Sequence, residues 1–378
     1  MRNINIIRLL QLFFLTLFTA LIFSSCGVLS QVGQEKHPER VSKSRHELLL
    51  VVSADGLVNS YAFNPTALTA EHTGSYSTKA PASIVLNRTD NVLYIANNIS
   101  NNATVTATKF NKSSGELAPL NQASVKGKGP VAIDIFDDRL ISANQIDGSI
   151  TLFHLDKISG SLYEADWRID LGEGQISNPT DVTFTKDGAH LYVVDKGQDK
   201  VFHFRSHGTT PPLTIDNHNT ILPKGSKPIE LVFDNTGKDA YLLCEDDPNI
   251  YHFRYNDGDL ELISKYDTSK ASGTKGTAIA INPNGQYVYT THSGRSNGLT
   301  VFSRNTSTGA LSKIETQKTG LHPSKIALSP DGKLVAIAAE GDSEVRIYRF
   351  NPSTGLMTTA GTVIKISNPV DIIWKAFF

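Results

Sequence analysis

Cysteine is nearly absent from this chain: Cys26 and Cys244 are the two in 378 residues. That excludes a disulfide-dense scaffold, and a chain of this length can bury a core without one. Long apolar runs are as scarce. The run at residues 9–23 has fifteen residues, short of the roughly 20 that a membrane-spanning helix needs. Helical periodicity is missing after it. Neither charge sign dominates, with 36 Lys and Arg against 37 Asp and Glu, so nucleic acid is not an expected partner. There is no Gly-x-Ser-x-Gly elbow, paired-cysteine motif or phosphate loop. Gly172-Glu173-Gly174 lacks the strand-then-helix setting of a dinucleotide site, so no cofactor is expected.

What is present begins with a leader. Arg2 and Arg8 precede the apolar run, and Ser24-Ser25-Cys26 follows it, which reads as a secretory signal over residues 1–25. A Cys after two small residues resembles the lipobox of bacterial lipoproteins. The resemblance implies a lipid on Cys26, a membrane contact through it, and a place in the bacterial cell envelope. Gly27 is not the Asp that retains such proteins at the inner membrane, so the outer membrane is the expected address. Ordinary cleavage and an uncleaved anchor are the alternatives. Residues 26–46 are polar and read as the lipidated Cys and a flexible tether. Without residues 1–25 the formal charge is −3, because that segment holds two Arg and no acid.

The rest of the chain repeats. Pro81, Pro130, Pro179, Pro228, Gly276, Pro323 and Pro369 open successive units at spacings of 49, 49, 49, 48, 47 and 46 residues. Apolar residues fall three and five places after each anchor, as in Ile84 and Leu86 or Ile372 and Trp374. Period two over a short run marks a strand. Asp187-Gly188, Thr236-Gly237, Asn284-Gly285 and Asp331-Gly332 supply tight turns after these strands. Units of this length with four short strands match propeller blades. Residues 47–53 read as a second strand, and the chain ends on a lone first strand at 369–374. The expectation for 47–378 is an all-β, seven-bladed propeller with four-stranded blades. Its ring is closed by pairing the C-terminal strand with the N-terminal strands.

Alternating strand direction then places the anchors and the second-strand ends on one rim. That rim carries Asn97, Asn144, Asp195, Glu245, His292 and Glu340, and, just after the anchors, Ser83, Asp181, Glu230, Lys325 and Asp371. The opening they surround is polar and rather acidic, and loops on a rigid scaffold carry function. Asp195-Lys196-Gly197-Gln198-Asp199 reads as an Asx-type turn. His154, His203 and His252 recur every 49 residues. Blades about 10 Å apart cannot bring three nitrogens to about 2 Å from one ion, so no metal is expected, and the trio reads as a polar outer stripe.

The Ser-Pro-Asp-Gly and Thr-Gly-x-Leu runs, Gly129-Pro130 leading to Ser142-Ala143-Asn144, and Asp195-Lys196-Gly197-Gln198-Asp199-Lys200-Val201 together resemble the lactonase-like seven-bladed propellers. Best known among these are 6-phosphogluconolactonases and cyclic-muconate lactonising enzymes. The likeness covers roughly residues 47–375. It implies chemistry by a rim His, one or two Arg and a Glu. Glu245 falls where the family places its Glu. Thr180 stands in place of the His, Ile229 and Ser324 in place of Arg, and His292 in a segment where the family writes Ser-Asn-Arg-Gly. A lactonase needs cationic donors for a developing oxyanion and a base for water. With the cations gone, the expected function is a binding platform for a small molecule or protein at the central rim. Asp181, Asp195, Glu230, Lys325 and Glu340 are its candidate ligand residues. The alternative is a lactone hydrolase or cycloisomerase with Glu245 as base and His292 as acid or oxyanion donor.

Overall fold

The computed structural model describes residues 46–207, 212–216, 218–268 and 271–377. The leader, Cys26 and the tether up to residue 45 lie outside them. The described residues form seven antiparallel sheets. The one helical element among them is a single 3-10 turn, Glu340–Asp342.

Each repeat is one sheet. The inner strands are Pro81–Leu86, Pro130–Phe136, Pro179–Phe184, Pro228–Phe233, Thr274–Ile281, Pro323–Leu328 and Pro369–Phe377. The apolar residue three places after each anchor is buried in all seven: Ile84, Ile133, Val182, Leu231, Ile279, Ile326 and Ile372. Second strands such as Val92–Asn97, His190–Asp195 and Leu334–Ala339 are buried at every position. They read as continuous apolar runs because a neighbouring blade covers each face. Outer strands such as Thr69–Ser77 have no buried residue. In the Pro179 blade the outer strand is split into Leu213–Ile215 and Thr220–Ile221, both paired with Lys200–Ser206.

The ring closes as the repeat requires. Each inner strand contacts that of the next blade, and Pro369–Phe377 contacts Pro81–Leu86. The terminal strand is innermost in a sheet shared with His46–Ser53, with His46 opposite Phe377 and Ser53 opposite Pro369. Trp374 packs edge-on against Phe63 at 4.8 Å, and its indole N–H donates to Glu47 at 3.0 Å. The core lies between blades. One apolar cluster joins Leu49, Val51 and Trp374 of the closing blade to Ala336, Ala338 and Ile347 of its neighbour.

Tyrosines tie blades together at the far rim. Tyr94, Tyr192 and Tyr241 hold the same second-strand position. Each donates its hydroxyl to a turn glycine of the next blade: Gly160 at 2.7 Å, Gly258 at 2.6 Å and Gly309 at 2.5 Å. Burial holds all three phenols above the usual tyrosine range, so they are neutral donors.

Candidate functional site at the channel mouth

A proline cannot donate to a β ladder. Six of the seven inner strands open on one, and every inner strand skips a residue immediately after its anchor. Pairing steps from Pro81 to Ser83, Pro130 to Ala132, Pro179 to Asp181, Pro228 to Glu230, Gly276 to Ala278 and Pro323 to Lys325. In the closing blade it steps from Pro369 to Asp371. The skipped residues, Ala82, Val131, Thr180, Ile229, Thr277, Ser324 and Val370, all line a central cavity of about 360 Å³. Such bulges re-aim side chains where regular pairing would hold them.

The next residue along each strand sets the charge of this cavity. Asp181, Glu230, Lys325 and Asp371 all line it. Lys325 Nζ lies 2.7 Å from Glu230 Oε1, on a strand two blades away. The acids also bridge blades. Asp371 Oδ2 accepts Ile84 N–H at 2.9 Å, Asp181 Oδ2 accepts Leu231 N–H at 2.9 Å, and Glu230 Oε2 accepts Ile279 N–H at 2.9 Å. Asp134 does the same for Phe184 at 2.8 Å. Inner strands expose one backbone edge to the channel, and these carboxylates satisfy its N–H groups. The sequence shows acids after the anchors; it does not show that they reach the next blade.

Burial, and then the Glu230 charge, push the Asp181 carboxyl up to about 7. Burial pushes Asp134 up to about 6 and raises Asp371 as well. Burial works against the Lys325 charge. The Glu230 and Asp371 carboxylates outweigh it and hold the ammonium above the ordinary lysine range.

Three of the five candidate ligand residues, Asp181, Glu230 and Lys325, therefore meet in one cavity. The other two lie elsewhere. Asp195 is fully buried, and its Oδ1 accepts the N–H groups of Asn178, Gly197 and Gln198 at 2.9, 2.8 and 3.1 Å. This is the Asx-type turn expected of Asp195–Asp199. Asp199 in turn accepts Gly225 N–H at 2.6 Å and Lys227 N–H at 2.7 Å, clamping the entry to the next blade. Glu340 is exposed, at the start of the 3-10 turn.

Glu245 and His292 do not occupy equivalent positions. Anchors pair with Asn97, Asn144, Asp195, Cys244, His292 and Ala339. Glu245 is one residue past Cys244, and one residue of register reverses the face of a strand. His292 is buried between Gly276 and Gly298 in its sheet. A Cβ at Gly298 would meet its Nε2 at 2.7 Å. Glu245 sits on the rim between Lys196 Nζ, at 3.0 Å, and Lys275 Nζ. Burial alone would raise the Glu245 pKa; the hydrogen bonds from Lys275 and Lys196 outweigh it and hold the carboxylate below its usual range. Nearby on this rim Lys227 pairs with Asp246 at 2.7 Å.

Gly276, the one anchor that is not proline, is explained by this corner. Its N–H donates to Glu245 O at 2.9 Å, a bond proline cannot make. A Cβ there would meet Cys244 O at 2.4 Å.

Two of the three recurrent histidines depart from expectation, while His154 stays half-exposed. His203 and His252 are buried, not an outer stripe. His203 stacks on Tyr192 and lies 2.7 Å from His190 Nδ1. His252 stacks on Tyr241 and lies 2.9 Å from Asp239. Buried Arg304 joins that group, reaching Asp234 at 2.9 Å, Asp239 at 2.6 Å and the Tyr241 hydroxyl at 2.7 Å. In each ring the stacked face is apolar enough to pack and Nε2 has a polar partner, while Nδ1 is buried without a hydrogen bond among the described residues.

Residues 51–374 match the family model described as a lactonase with a seven-bladed β-propeller. The chain is 25% identical over 276 residues to a 6-phosphogluconolactonase of Formosa agariphila, covering 69% of this chain and 78% of the relative. It is 22% identical over 303 residues to the 6-phosphogluconolactonase of Bacillus subtilis, covering 77% and 86%. A solved candidate 6-phosphogluconolactonase of Bacteroides fragilis superposes with a TM-score of 0.83 at 26% identity, covering 89% of this chain and 99% of that one. With the inner-strand geometry and the match across nearly the whole ring, the chain belongs to the lactonase family of seven-bladed β-propellers.

Proposed function

We propose that this protein hydrolyses a lactone, an internal carboxylic ester, at the mouth of the central channel. The observation that carries this reading is that one open cavity of a lactonase-family ring is lined both by Asp181, a carboxyl that burial pushes up to about 7, and by Lys325, an ammonium that Glu230 fixes at 2.7 Å. It favours hydrolysis over the binding platform expected from the missing family cations. Perturbed carboxyls in a cavity suit proton transfer near neutral pH.

The step runs as follows. Asp181 takes a proton from water as the oxygen attacks the lactone carbonyl. The carbonyl π pair moves onto oxygen, where Lys325, held by Glu230, offsets the charge. The tetrahedral species collapses by breaking the ring C–O bond, and the departing alkoxide receives the proton from Asp181. The product is the open hydroxy acid. Glu245 is the weaker candidate base, because two lysines hold it ionised and reduce its basicity.

Asp181→Asn is expected to lower kcat on a lactone substrate by about 10²–10⁴-fold, with Glu245→Gln affecting it far less. The reverse ranking would return the base to Glu245; no turnover of any lactone by the parent protein would remove the enzyme reading. Because Asp181 must be ionised, kcat/KM should rise with pH through about 7 and level above it. A profile flat from pH 5 to 9 would remove Asp181 from this role.

We further propose that the protein is exported and anchored by a lipid on Cys26. The sequence of the leader supports this. Cys26→Ser should move the protein from the membrane to the soluble fraction, and an unchanged membrane fraction would refute the anchor.

A further inference from the structure

The same cavity constrains what kind of lactone can enter, and the following rests on the hydrolase reading above. A phosphorylated or carboxylated substrate needs cations to receive it. Among the described residues lining the cavity, Lys325 is the single cation, and Glu230 holds it at 2.7 Å. Asp181 and Asp371 line the same space, so three acids face one base. The skipped bulge residues add no positive charge, since all seven are uncharged: Thr180, Thr277 and Ser324 carry hydroxyls and the other four are apolar. On the rim, Lys196 and Lys275 are engaged by Glu245, and Lys227 by Asp246.

What the cavity has in quantity is hydrogen-bond acceptors. Asp181 and Asp371 each spend oxygens on backbone N–H groups, yet a carboxylate has about four lone-pair sites and both side chains still border the open space. Hydroxyls of a sugar ring are donors that such oxygens accept, whereas a phosphate offers only more acceptors and more negative charge. A volume of about 360 Å³ falls within the range of small-molecule sites.

We infer that the channel mouth selects an uncharged, polyhydroxylated lactone and discriminates against its phosphorylated counterpart. Carboxylates at the cavity receive the ring hydroxyls, and their summed charge repels an anionic tail.

The test compares D-glucono-1,5-lactone with 6-phosphoglucono-1,5-lactone as substrates of the purified protein at low and high salt. In parallel, calorimetry measures binding of 1,5-anhydroglucitol, a neutral polyol ring that cannot be hydrolysed. The expected result is a kcat/KM at least about tenfold higher for the neutral lactone, a ratio that shrinks as salt screens the repulsion. Equal or better turnover of the phosphorylated lactone would overturn this inference and leave the hydrolase reading standing. Turnover of neither, with 1,5-anhydroglucitol bound, would overturn the hydrolase reading and support the selection of a neutral polyol. Neither turnover nor binding would overturn both. Asp371→Asn, which keeps an acceptor for Ile84 N–H, should narrow the preference several-fold; an unchanged ratio in the folded variant would count against the charge argument.

Discussion

The three tyrosines of the far rim each donate one hydrogen bond, but they do not carry the same load. Tyr94→Phe removes a hydroxyl whose one described partner is Gly160 O, and should cost about 1 kcal/mol. Tyr241→Phe also strips a partner from buried Arg304, which sits between Asp234 and Asp239. A buried cation short of a partner costs more, so Tyr241→Phe should exceed Tyr94→Phe by about 1–3 kcal/mol in urea unfolding. The histidines give a pH signature. Burial, then His190, lower the His203 pKa to about 4, against about 6.5 in solution. Between those values the unfolded chain binds more protons, so the His203 contribution is complete above pH 6.5 and is lost as pH falls toward 4. Asp134 and Asp181 act oppositely, favouring the folded state as pH falls from about 7. The urea midpoint of the parent minus that of His203→Phe, followed from pH 7.5 to 4.5, should isolate the histidine as a declining difference. None of this was legible in the repeat. A 49-residue period marks His203 and His252 as equivalent, but their burial depends on the Tyr beneath and the blade beyond.

Elements were far more legible. Seven anchors, period-two apolar pairs and Asp-Gly turns are local signals, and the seven sheets follow them. What the pattern conceals is register. The bulge absorbs one residue after each anchor, so the second-strand residue opposite Pro228 is Cys244, and Glu245 faces the rim lysines instead. The exceptional anchor was visible as an irregularity, and its cause required the neighbouring blade. Gly276→Ala should cost about 1–3 kcal/mol, since its Cβ would meet the backbone oxygen of Cys244 and not a side chain able to swing away. Gly225→Ala makes a control: φ is +86° there, with nothing near the added carbon, so only conformational strain of about 1–2 kcal/mol is expected. Differential scanning calorimetry of the two variants, with Glu245→Gln beside them, separates packing from strain.

At the scale of the molecule, closure is the vulnerable point. Ile372, Trp374 and Phe377 are buried, and burying such side chains contributes about 1.5–3 kcal/mol each. Their sum approaches the whole net stability of an ordinary domain, about 5–15 kcal/mol. Deleting residues 370–378 should therefore unfold the ring, and an unchanged melting curve would show that the strand is dispensable.

The skipped residue after each anchor has a wider consequence. These seven positions have no ladder partner and look onto shared space, so what they hold in place is local: Ser324 Oγ donates to Pro369 O at 2.7 Å, Thr277 Oγ1 to Thr291 Oγ1 at 2.9 Å, and Ile229 packs against a neighbouring apolar cluster. A ring built this way can be retargeted without being refolded. Placing His at 180 and Arg at 229 and 324 (T180H, I229R, S324R) changes three bulge residues and no ladder pair. It should leave the melting temperature within a few degrees while shifting substrate preference toward anionic lactones. The propeller then behaves like a turret with seven interchangeable fittings, of which this chain wears a wholly uncharged set.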